Sequence, residues 1–148
     1  MSKEKMIEIV MTQKKDIVET TNEIDEVFQK FYDKYNTEDF MHKTTCLDSQ
    51  NTLLIKMKVN DIISKLSIIG GFCDKDTQRY IDTLTGYGGK YASLDEISVV
   101  DIHFLSFWSK MVNRIIVDFT RTPFKLAGEF KVQLANIKAK IKALYKRS

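Results

Sequence analysis

The sequence predicts an all-α fold. Residues 1–148 read as a single domain, a bundle of five to six helices around a central apolar helix over about 94–120, led by a long N-terminal helix. Three observations carry this. Only one Pro and six Gly interrupt the chain, so long helices are the default. The β-branched residues recur at helical spacing, not in the alternation a strand shows. The densest apolar run, Ser93 to Thr120, places Leu94, Ile97, Phe104, Leu105, Trp108, Met111, Val112, Ile115 and Phe119 on one broad stripe. Trp108, the only tryptophan, sits mid-stripe.

Taken in order, residues 3–35 form the first helix. Val10, Ile17, Ile24 and Phe31 recur every seven residues, with Met6, Val27, Phe28 and Tyr35 three or four positions away. Gln13, Lys14, Thr20 and Thr21 weaken the seam in its middle. At 1.5 Å per residue such a helix is roughly 50 Å long, more than the ~40 Å width of a compact domain of this size. It therefore breaks or projects. Residues 37–47 form a short helix opened by Thr37. Asp48-Ser49 open the next, whose stripe is Ile55, Val59, Ile62, Leu66 and Ile69 and which Gly70-Gly71 stop.

Asp74 or Asp76 caps a short helix through Leu84, and Gly86-Tyr87-Gly88-Gly89-Lys90 is a loop. Ser93 with Glu96 then forms a capping box for the central helix. Thr122 as N-cap and Pro123 at the first helical position open the last helix, to about Tyr145. Its stripe is Leu126, Phe130, Leu134, Ile137, Ile141 and Leu144.

A content of 43% hydrophobic and 29% charged residues is that of a folded globular chain, not a disordered one. Cys46 and Cys73 lie in no CxxC, which fits a reducing, cytoplasmic compartment. The charged N-terminus is no signal peptide, and no apolar run approaches the ~20 residues of a membrane span. Charge is uneven. Residues 1–50 hold seven Lys/Arg against eleven Asp/Glu, while residues 121–148 hold eight basic residues against Glu129 alone. Such an asymmetric chain favours charged partners.

Motifs for chemistry are sparse. Glu38, His42 and Cys46, spaced by four, would share a helical face, as metal ligands do. No fourth ligand or paired Cys/His spacing joins them, so a surface histidine beside an incidental thiol is the expectation. The Gly86–Lys90 run lacks the strand, spacing and Ser/Thr of a phosphate loop. No serine elbow or zinc-helix motif occurs among so few histidines, His42 and His103. No cofactor is expected.

Three surfaces remain as candidates. The first helix offers an intermolecular face at Ile24, Phe28 and Phe31, for a protein partner or a homodimer. Arg79, Tyr87, Lys90 and Tyr91 cluster basic and aromatic groups, and Lys131, Lys138 and Lys142 form a basic row on the last helix, roughly 110° from its apolar stripe at 100° per residue. Together these would suit nucleic acid through charge and stacking. Glu19, Glu23, Glu26 and Asp33 form an acidic row expected to face solvent. Asp101 interrupts the apolar stripe about two turns past the Ser93 cap, so it reads as a buried polar contact or a ligand contact.

The functional expectation is a small intracellular, non-enzymatic module that binds another macromolecule through a helical face. Nucleic-acid binding is the alternative. Richness in Lys, Ile, Asp and Asn would suit an AT-rich genome, such as that of a virus or phage.

Overall fold

A computed structural model describes residues 2–34 and 46–118, together with Ala139. These form four helices: α1 (Lys3–Lys34), α2 (Ser49–Gly70), α3 (Lys75–Ala92) and α4 (Val99–Asp118). The five to six expected helices thus become four among the described residues. The predicted final helix, Ala139 apart, lies outside them, as does most of the predicted 37–47 helix. Where 37–47 can be checked, at Cys46 and Leu47, the backbone is extended: Cys46 bridges Ser98, and the Leu47 amide donates to the Ile97 carbonyl at 2.8 Å.

The helices form an up-down-up-down bundle, with α1 and α3 each packed between α2 and α4. The registers show each pairing to be antiparallel. Asp16 meets Lys65 and Glu23 meets Lys58 across α1–α2. Thr21 meets Asn113 and Tyr32 meets His103 across α1–α4. Gly70 faces Ile81 and Gly89 faces Ile63 across α2–α3. The core holds the expected stripes of α1 (Val10, Ile17, Ile24, Phe31) and α2 (Ile55, Val59, Ile62, Leu66, Ile69). Among the described residues no helix is long and apolar enough to cross a membrane.

Two local expectations fail, for related reasons. First, α3 does not stop at Leu84 but runs through Gly86-Tyr87-Gly88-Gly89-Lys90 to Ala92. A tertiary contact overrides the weak helix propensity of glycine: the indole of Trp108 lies against Gly88, where an added Cβ would sit 2.5 Å from Cζ2. The same indole donates from Nε1 to the Leu84 carbonyl at 2.9 Å. Trp108 is fully buried, as its place mid-stripe implied.

Second, because α3 continues, Ser93 becomes its C-cap, with its hydroxyl donating to the Lys90 carbonyl at 2.8 Å. The central helix starts five residues later than expected. Ser98 and Asp101 form its capping box. The Ser98 amide and hydroxyl donate to the Asp101 carboxylate at 3.0 and 2.9 Å, and the Ser98 Oγ accepts from the Asp101 amide at 3.4 Å. Asp101 is therefore a cap, half-buried at the first turn, and not an anomaly in the apolar stripe. The expected stop of α2 holds: the helix ends at Gly70 and Gly71 caps it in right-handed geometry, its amide bonding to the Ser67 and Ile68 carbonyls.

The polar break in the α1 seam also finds its explanation. Thr21 is fully buried against α4. Its hydroxyl accepts from Asn113 Nδ2 at 2.9 Å, and its carbonyl from Ser109 Oγ at 3.4 Å. These bonds tie α1 to α4 at one register.

Candidate functional site

α2 carries two apolar faces. Its core stripe centres on Ile55, Ile62 and Leu66. Leu53, Met57 and Ile68 fall roughly 140–160° away at 100° per residue, and Leu54 about 100° away. These four are 61%, 38%, 62% and 43% exposed. Leucine and methionine suit a helix interior whichever way they face, so propensity does not forbid them there. Burial does not require them either, since Ile55, Val59, Ile62, Leu66 and Ile69 already supply the core contact.

Beside this face runs a groove of about 510 Å³ between α1 and α2. Leu54 and Met57 supply its apolar surface, and Asp16, Glu19, Glu23 and Asp61 supply carboxylates against Lys58 and Lys65. Both lysines are engaged. Lys58 pairs with Glu23. Lys65 donates to Asp61 at 2.8 Å and lies 3.7 Å from Asp16. The hydrogen bond to Asp61 holds the Lys65 ammonium above its usual pKa despite the opposing effect of burial, and Asp16 adds to it. The groove is left with two carboxylates in excess. Glu19, Glu23, Glu26 and Asp33 are exposed, as the acidic row predicts, yet Glu19 and Glu23 serve this groove and do not simply face water.

The other candidate residues fare differently. Ile24, Phe28 and Phe31 are interior, at 0%, 1% and 7% exposure, so in this fold they pack the bundle and offer no intermolecular face. Their seven-residue repeat marks the α1 core contact, which looks the same in sequence as a docking stripe. Tyr91 is likewise buried, stacked on Phe104 with centroids 3.9 Å apart and with Lys90 Nζ 5.9 Å from its ring. A base cannot stack there.

Arg79 and Lys90 are exposed on α3, but Asp76 and Asp82 are exposed between and beside them, so the basic side is broken by carboxylates. Tyr87 is half-buried against the core. Lys131, Lys138 and Lys142 lie outside the described residues, as do Glu38 and His42.

Cys46 hydrogen-bonds from Sγ to Glu96 at 3.8 Å. Burial and the neighbouring Glu96 and Asp101 charges push its thiol pKa up, away from nucleophilic character. Among the described residues no three His, Cys, Asp or Glu side chains converge as metal ligands would.

One group was not legible beforehand. Asp25 turns toward α4, with Oδ1 buried and unbonded among the described residues. Burial raises its carboxyl pKa, and Lys110 opposes that.

No family model, curated protein or solved structure matches this chain.

Proposed function

We propose that this chain is a non-enzymatic helical module that binds another protein through the outward face of α2. The observation that supports it is the second apolar row: Leu53, Leu54, Met57 and Ile68 stand in solvent on a helix whose opposite face already fills the core. Single exposed apolar residues are ordinary, but Leu53, Leu54 and Met57 gathered within two turns beside a charged groove have the form of a helix-binding surface. Its polar rim would set orientation and its apolar centre would supply affinity.

The test is affinity capture from the native host with the full chain as bait. Four arms are compared: wild type, Leu53→Asp with Met57→Asp, Arg79→Glu with Lys90→Glu, and wild type after nuclease treatment. A partner lost only from the α2 variant supports the proposal. Capture that survives the α2 change but fails after nuclease, or in the α3 variant, replaces it with nucleic-acid binding.

A further inference from the structure

We infer that the α1–α2 groove takes a basic amphipathic helix from a partner protein. This rests on the α2 face being the docking surface and names what that surface selects. On α2 the groove lining runs from Leu54 to Lys65, about 16 Å at 1.5 Å per residue, enough for three turns of a helix laid along it. A helix docked in a groove anchors through apolar residues at helical spacing, which Leu54 and Met57 would receive.

Charge decides which helix. Lys58 and Lys65 already hold carboxylates of the groove, whose four carboxylates against two lysines leave it a net negative lining, and among the described residues Glu19 pairs with neither lysine. An incoming lysine or arginine gains from that field and an incoming acid is repelled. The same sign disfavours nucleic acid. It also disfavours a symmetric pairing of two copies of this chain, which would set each acidic edge against its own copy. The remaining competitor is the chain's own residues 121–148, with eight basic residues against Glu129.

Labelled peptides of about 18 residues, one Leu/Lys amphipathic helix and its Leu/Glu counterpart, are titrated into the full chain by fluorescence anisotropy. Wild type, Glu19→Lys, Met57→Asp and a control, Asp82→Lys, are compared after far-UV spectra show them folded. The Leu/Lys peptide is expected to bind wild type and Asp82→Lys alike, and to lose about tenfold or more with Glu19→Lys and with Met57→Asp.

Binding of Leu/Lys that ignores both groove substitutions, or no binding, overturns the inference. If Leu/Glu binds instead and is lost with Met57→Asp, the face docks helices but the partner's charge is wrong. If neither peptide depends on Met57, the docking face itself falls. A full chain carrying Lys131→Glu, Lys138→Glu and Lys142→Glu that gains about tenfold for Leu/Lys would assign the groove to the chain's own tail and overturn a separate partner.

Discussion

Gly88→Ala should destabilise the bundle, while the same change two residues earlier, Gly86→Ala, should stabilise it. Both glycines lie inside α3, where alanine gains roughly 1 kcal/mol of helix propensity over glycine. Around Gly86 nothing stands within 4 Å of an added Cβ, so that gain is kept. At Gly88 the new methyl would lie 2.5, 2.9 and 3.0 Å from three atoms of the Trp108 ring system. The indole is fully buried and cannot swing away, so the helices must part or the ring must tilt.

Overpacking of this kind costs about 1–3 kcal/mol. Tilting the ring also breaks the 2.9 Å bond from Nε1 to the Leu84 carbonyl, at about 1 kcal/mol. After the propensity gain, Gly88→Ala should lose on the order of 1–3 kcal/mol and Gly86→Ala should gain about 0.5–1 kcal/mol. Their melting temperatures should then differ by roughly 5–15 °C. Urea denaturation followed by the fluorescence of Trp108 gives both values. Equal shifts for the two variants would refute the Gly88–Trp108 contact and the continuity of α3.

Trp108→Ala should cost about 3–5 kcal/mol, since a buried ring is removed, read by urea denaturation followed by far-UV circular dichroism because the variant lacks the fluorescent ring. Ser98→Ala should cost about 1 kcal/mol through loss of the capping box, whereas Glu96→Gln, outside it, should change stability by less than about 0.5 kcal/mol. Asp25→Asn should stabilise the protein near neutral pH. Burial raises the folded-state pKa of Asp25 above its ordinary 3.8, so the stability its neutral form contributes is present below that value and is lost as pH rises through the folded value. The gain from Asn should therefore shrink toward zero in acid, read from urea midpoints across a pH series. Burial pushes the Cys73 thiol up to about 11 from 9.0. Its alkylation at pH 8, followed by mass spectrometry, should run about a hundredfold slower than that of an unperturbed thiol.

The core of α1 and α2 was legible because Val10, Ile17, Ile24, Ile55, Val59 and Ile62 keep one helical period along each helix and are all buried in the core. The junction of α3 and α4 was not. Ser93-x-x-Glu96 and Ser98-x-x-Asp101 both suit a helix start, and only the continuation of α3 to Ala92 decides between them. That continuation depends on Gly88 meeting Trp108, twenty residues away in sequence.

Asp101 looked buried for the same reason: with the helix start placed at Ser93, it fell in mid-helix. The outward face of α2 left a signal that could have been read, since Leu53, Leu54, Met57 and Ile68 form an arc that the core stripe does not account for. The docking role assigned to Ile24, Phe28 and Phe31 shows the opposite limit, because a core stripe and a binding stripe share one pattern until burial separates them.

The claim that α2 is the working surface is tested most directly by photo-crosslinking in the native host. A benzophenone amino acid is placed at position 57 in the full chain and, as a control, at position 82 on the exposed side of α3. The account predicts a discrete adduct with a different protein from position 57 and none from position 82. No adduct at position 57, an adduct only with a second copy of the chain, or the same adduct from both positions would contradict it.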